Sequence, residues 1–221
     1  MNEILQFLKE LELHNQREWF DANRSQYEKT RNAFLDVTAW LIDEIRKFDP
    51  EVPLLQPKEC MFRIFRDVRF SNDKRPFKTN YGSYIARGGR KSGFAGYYLH
   101  VQPGEYFLSG GVYMPSAENL LAIRQEIYYH PEEYLQIIEN KSFTSVFDQH
   151  YFDPLKMAPK GFPKDWEHIG LIKNRSFGFG RSLAEKELLS GDFLEKSVPV
   201  FRELLPLNHF FNRAINENSP D

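Results

Sequence analysis

The chain has a single cysteine, Cys60, and so cannot form an internal disulfide. It contains no apolar run approaching the roughly 20 residues that a membrane-spanning helix requires. It also lacks a large charge of either sign. A net charge of −2 over 221 residues excludes a protein that coats nucleic acid or an acidic membrane nonspecifically, so any contact with a polyanion must be local. The N-terminal MNEILQFLKELEL carries acids within its apolar stretch, where a secretory leader would show a basic region and then a clean hydrophobic run. Together with the lone cysteine, this predicts a cytoplasmic protein.

Familiar chemical signatures are missing as well. His14, His100, His130, His150, His168 and His209 show no paired short spacing, so no metal site is read from them. No G-x-S-x-G elbow is present, and Cys60 beside an apolar segment is expected to be a buried, inert thiol. Gly88-Gly89-Arg90-Lys91-Ser92 lacks the Gly-Lys pair of a phosphate loop and is read as a hairpin turn. His168, near Asp165 and Glu167, is read as a surface or hydrogen-bonded histidine. The catalytic residues and any cofactor are left unassigned.

What the chain does have is the composition of a globular protein, 41% hydrophobic and 27% charged, with 20 Phe, 11 Tyr and 3 Trp to fill a core. One domain over residues 1–221 is expected, with a frayed tail at 216–221. Ile4, Phe7, Leu8 and Leu11 recur at helical spacing, and Asn15 with Glu18 is read as the cap of a second short helix. Phe34, Val37, Leu41, Ile45 and Phe48 form an apolar stripe ended by Asp49-Pro50.

The periodicity then changes. Cys60–Phe70, Tyr81–Arg87, Gly93–Gln102 and Tyr106–Tyr113 read as strands separated by short turns at Gly88-Gly89 and Pro103-Gly104, which predicts an antiparallel meander over about 60–113. Gly110-Gly111 is read as a bulge in preference to a close backbone approach. Helices follow from Pro115 and Pro131, and again over 193–205 and 207–215, with Ser182 and Glu185 at capping-box spacing before a short one. Gly178–Ser182 is read as the entry to that helix, with a weaker alternative as an anion contact through Arg181. The segment 141–181 is read as irregular. The fold class is therefore α+β, a central meander sheet flanked by N-terminal and C-terminal helices.

The strongest pointer to function is FRIFRDVRFSNDKRPFKTN, from Phe62 to Asn80. Arg63, Arg66, Arg69, Lys74, Arg75 and Lys78 stand against only Asp67 and Asp73, a local +4 that leaves −6 for the rest of the chain. Extended backbone would put Phe62, Ile64, Arg66, Val68 and Phe70 on one face and Arg63, Phe65, Asp67 and Arg69 on the other. Arg66 would then interrupt an apolar face, which requires a carboxylate, backbone carbonyls or a bound anion to receive it, unless a bulge turns it outward. The candidate anion site is Arg63, Arg66, Arg69, Lys74 and Lys78, oriented by Asp67 and Asp73. Its ligand would be a phosphate- or carboxylate-bearing small molecule. The alternatives are an internal ion-pair network and a noncatalytic contact with an acidic protein or, as the minority reading, nucleic acid.

LHNQREWFDANRSQYE near the N-terminus, the central FRDVRFSNDKRPFKTN and the later APKGF together resemble the bacterial and fungal family catalogued as domain of unknown function 2461. The likeness spans nearly the whole chain. Arg66, Asp67, Arg69, Phe70, Asp73, Lys74, Pro76 and Lys78 fall on the family's central pattern, whereas His14 stands where the family often shows a second Asn. The resemblance implies a single intracellular domain and singles out the central motif; it brings no established activity.

Overall fold

The computed structural model describes residues 1–69 and 72–217. The expected apolar spacings become helices α1 (Asn2–Leu13), α2 (Arg17–Ala22) and α3 (Arg24–Arg46), followed by the short α4 (Pro57–Cys60). Ile4, Phe7, Leu8 and Leu11 from α1 and Phe34, Leu41 and Ile45 from α3 are buried together, which is what the helical period of each predicts. Asn15 does not cap α2; Gln16 occupies that position without a side-chain bond, and the Asn15 amide is engaged elsewhere.

Five antiparallel strands form one sheet in the order β1-β2-β3-β5-β4: β1 (Tyr81–Ala86), β2 (Gly96–Gln102), β3 (Glu105–Val112), β4 (Gln149–Tyr151) and β5 (Phe177–Ser182). With helices on both sides of it in sequence, the architecture is α+β. The first three strands are the expected meander. Gly88 and Gly89, both at positive φ, make the β1–β2 reversal that only glycine adopts without strain.

Two expectations change here. The segment from Cys60 is not a ladder strand: Met61 and Phe65 make only isolated bridges, to Ser83 and Phe77. The segment 141–181 supplies two strands that complete the sheet, so Gly178–Ser182 is an interior strand and not a helix entry. Phe177 and Phe179 are buried, and the intervening Gly178 and Gly180 lie against the Tyr151 ring, so the FGFG alternation is a strand pattern with one face made of glycine. Likewise Gly110-Gly111 is no bulge, because the pairing of β3 with β2 and β5 runs through it unbroken. A Cβ on Gly111 would stand 2.1 Å from the Phe177 carbonyl oxygen, so glycine here permits close approach of two backbones.

Among the described residues, seven more helices close the fold, α8 and α9 being single turns: α5 (Ala117–Tyr129), α6 (Pro131–Ile138), α7 (Lys141–Val146), α8 (Ile169–Ile172), α9 (Glu185–Leu188), α10 (Phe193–Glu203) and α11 (Leu205–Glu217). At α9 it is Glu187 that accepts the Ala184 N–H, so the capping spacing sits two residues beyond the expected Ser182–Glu185 pair. Phe201 of α10, Leu207 and Phe211 of α11, and Leu204 between them share one buried cluster with Tyr97 and Leu99 of β2 and Leu108 of β3, covering one face of the sheet. No helix among the described residues is long and apolar enough to cross a membrane.

Candidate functional site

Residues 61–69 leave α4 along the edge of β1, and 72–80 lead back to it. Phe62 N–H donates to Gly82 O at 2.9 Å, Lys78 N–H to Ile64 O at 2.7 Å and Arg66 N–H to Pro76 O at 3.0 Å. A side chain from far away fixes the return limb: Asn15 Nδ2 donates to Phe77 O at 3.0 Å, and Phe77 N–H donates to Asn15 Oδ1 at 3.1 Å. The ring of Phe77 then stacks on Phe20 at 4.0 Å. Although this stretch is not a ladder strand, its extended backbone keeps period-two sidedness. Ile64 is buried and Phe62, Arg66 and Val68 are half-buried, while Arg63, Phe65, Asp67 and Arg69 are exposed. Phe70 lies outside the described residues.

The predicted cations separate by this geometry. Arg66 donates to Asp73, which also receives Arg75 at 2.7 Å, and these two guanidinium groups, Arg75 first, hold the Asp73 carboxyl well below the usual carboxylate range. Asp67 takes a two-pronged contact from Arg69, Nε at 3.0 Å and Nη2 at 2.7 Å, and is lowered by it. Lys74 Nζ donates to the Val68 carbonyl at 3.1 Å. Arg63 faces solvent with no ion-pair partner among the described residues. Asp67 and Asp73 therefore bind arginines of the loop itself, Arg66 and Arg75 meeting at Asp73 and Arg69 at Asp67.

Lys78 lines a cavity of about 820 Å³ on the sheet face opposite the α10–α11 layer. Burial, then the nearby charges of Arg63 and Arg66, lower its pKa. Among the described residues its Nζ meets no hydrogen-bond acceptor and lies 5.6 Å from the Phe62 ring centre. Arg90 and Lys91 line it as well, and no carboxylate is among the described lining residues. Arg90 is fixed by donating to the Lys58 and Glu59 carbonyls, both at 2.8 Å, neutral acceptors that leave its charge uncompensated.

The floor comes from side chains that alternate outward from Leu99, Val101 and Leu108 of the core: Tyr84 from β1, Tyr98 and His100 from β2, Phe107 and Ser109 from β3, and Tyr151 from β4. The rings form a continuous path, with Phe62 to Tyr98 at 6.0 Å, Tyr98 to His100 at 5.8 Å and His100 stacked on Phe107 at 4.6 Å. Tyr84 Oη donates to the Phe94 and Gly111 carbonyls, tying the β1–β2 turn to β3. The rim carries Met114 at φ 48°, a left-handed conformation unusual for a side chain of this size.

His100 Nδ1 lies 2.9 Å from Tyr98 Oη, and its Nε2 is buried with no partner among the described residues. If the Tyr98 hydroxyl donates to Nδ1, one group, Nε2–H, is unmatched. The reverse leaves both the hydroxyl proton and Nε2 unmatched, so the first arrangement is favoured. Burial pushes the imidazole down to about 4, with Gln102 acting in the opposite direction, so His100 is neutral near pH 7.

Of the predicted site residues, then, Lys78 alone lines this cavity, and the sheet-face residues were not anticipated. Their signal was in the sequence as period two in GYYLHVQ and EYFLSGG, where Tyr98, His100, Phe107 and Ser109 fall on one face. Cys60 is fully buried and its thiol is pushed up to about 11, chiefly by burial. Among the described residues, no group of three or more His, Cys, Asp or Glu side chains is placed to hold a metal ion.

The model of the family described as "Conserved hypothetical protein (DUF2461)" matches residues 3–210. No curated protein and no solved structure matches the chain.

Proposed function

The chain belongs to the family described as conserved hypothetical protein (DUF2461), and on that premise we propose that it binds an anionic small molecule, phosphate- or carboxylate-bearing with an apolar or aromatic body, in the sheet-face cavity. One observation carries the reading: three cations, Lys78, Arg90 and Lys91, line a largely aromatic cavity that has no carboxylate among its described lining residues. A half-buried ammonium without an acceptor is held at a cost that a bound anion relieves. Lys78 is assigned as the principal anion contact, and Arg90 and Lys91 as the rim charge that draws the ligand in.

Arg66, Arg69, Asp67 and Asp73 are assigned to the loop that presents Lys78. Their pairing stiffens the excursion between Ile64 and Lys78. The alternative, a noncatalytic contact with an acidic protein or nucleic acid partner, draws on the outward side chains of Arg63, Arg69 and Lys74. It predicts affinity that falls steeply with salt and depends on Arg63.

The test is thermal stabilisation by phenyl phosphate, with inorganic phosphate and benzyl alcohol as the anion-only and ring-only comparisons. Phenyl phosphate is expected to raise the melting temperature most, by mass action on the folded state. No shift with phenyl phosphate or benzoate, at concentrations where neither aggregates the protein, would remove the reading.

A further inference from the structure

On the helical side of the sheet, Asp49 is 2% exposed and its carboxylate is fixed from three directions. Tyr97 Oη donates to Oδ2 at 2.7 Å, Glu51 N–H donates to Oδ1 at 3.1 Å, and His209 Nε2 lies 3.1 Å from Oδ1. In the neutral imidazole, a carboxylate at Nε2 holds the proton on that nitrogen and leaves Nδ1 as the acceptor. The His209 side chain is 38% exposed, on α11, and Nδ1 has no hydrogen-bond partner among the described residues. It lines a second cavity, of about 890 Å³, bordered also by Glu51, Ser142 and Glu203.

The polarity of this cavity is the reverse of the first. Glu203 accepts from Ser142 Oγ at 2.8 Å and Glu51 from the Asn212 amide at 3.3 Å, both neutral donors, and neither carboxylate has an ion-pair partner among the described residues. Arg213, the one Lys or Arg among the described lining residues, is gripped by Glu126 and Glu133. Of the three carboxylates in the wall, Glu133 is paired with Arg213, so the wall offers Glu51, Glu203 and one oriented imidazole acceptor, a combination that repels anions and receives a cationic donor.

We propose that this cavity is a second binding site, for a small ammonium-bearing molecule, in which Glu51 and Glu203 hold the charge and His209 Nδ1 accepts a hydrogen bond from the ammonium group. Asp49 is the positioning residue that sets the imidazole, and Tyr97 holds Asp49. The proposal is independent of the anion cavity and of the loop carrying Lys78.

The test is alkylation of His209 by neutral iodoacetamide, mapped by peptide mass on the full chain, with the exposed His14 as internal standard. Ethanolamine, protonated at neutral pH, is expected to slow modification of His209 by roughly threefold or more without slowing His14, whereas acetate, or potassium chloride at equal ionic strength, leaves both unchanged. Glu203→Gln and Glu51→Gln change only wall carboxylates and are expected to remove the protection. Asp49→Asn, if it folds, is expected to lower the intrinsic reactivity of His209. Equal protection by potassium chloride or acetate, or undiminished ethanolamine protection in the Glu51→Gln/Glu203→Gln double variant, would overturn the proposal.

Discussion

Asn15 and Phe77, 62 residues apart, are joined by a reciprocal pair of hydrogen bonds, the Asn15 amide donating to the Phe77 carbonyl and the Phe77 amide donating back to Asn15 Oδ1. This clamp fixes the backbone one residue before Lys78 and so aims that side chain into the sheet-face cavity. Asn15→Ala leaves a part-buried N–H and C=O unmatched and is expected to cost about 1–3 kcal/mol, a lowered midpoint in urea at unchanged slope. It should also weaken phenyl phosphate binding through the misplaced Lys78, although Asn15 does not line the cavity.

Gly111→Ala tests the close approach of β3 and β5. The new Cβ would meet the Phe177 carbonyl oxygen at 2.1 Å in a backbone with φ 92°. Destabilisation of more than about 2 kcal/mol, or failure to fold, is expected from steric and conformational strain together. Gly161→Ala, also at positive φ but with nothing within 4 Å of the new Cβ, is the milder comparison, and the difference between the two reports the backbone contact.

His100 gives the fold a pH dependence of definite sign. Its folded value, about 4, lies below its ordinary value of 6.5, so the unfolded chain binds more protons between those limits. The stability it contributes is whole above about 6.5, declines as pH falls toward 4 and levels below that. His100→Phe keeps a ring against Phe107 and is expected to flatten this slope, removing on the order of 3 kcal/mol of pH-dependent stability across the window, measured by urea unfolding at a series of pH values. A slope unchanged in the variant would place the titration elsewhere.

How much was legible from sequence follows from how far each signal reaches. The helical stripes of α1 and α3 and the alternation of β1, β2 and β3 are local, and they appear where expected. The sidedness of 62–69 was legible for the same reason, even though the bridges that hold it are isolated. The capping roles of Asn15 and Ser182 were misread because both positions have partners or neighbours remote in sequence: Asn15 is taken by Phe77, and Ser182 ends a strand that pairs with β3. β5 was missed because its alternation is Phe with Gly, and glycine in that count signals a turn unless the Tyr151 ring filling its place is known. The charge of the basic loop was evident, yet its division was not. Asp67 and Asp73 engage arginines near them in the chain, while Lys78 reaches a cavity whose other walls come from all five strands, from Tyr84 to Gly178.

The central claim is that Lys78, and not the outward cations of the same loop, is the anion contact. The direct measurement is calorimetric titration of phenyl phosphate into the wild type, Lys78→Met and Arg63→Ala. Loss of one charge-assisted hydrogen bond, about 1.5–3 kcal/mol, predicts roughly a tenfold or greater drop in affinity for Lys78→Met with folding intact, and affinity within about twofold of wild type for Arg63→Ala. Binding that survives Lys78→Met but is lost in Arg63→Ala would contradict the account and move the site to the outer face of the loop.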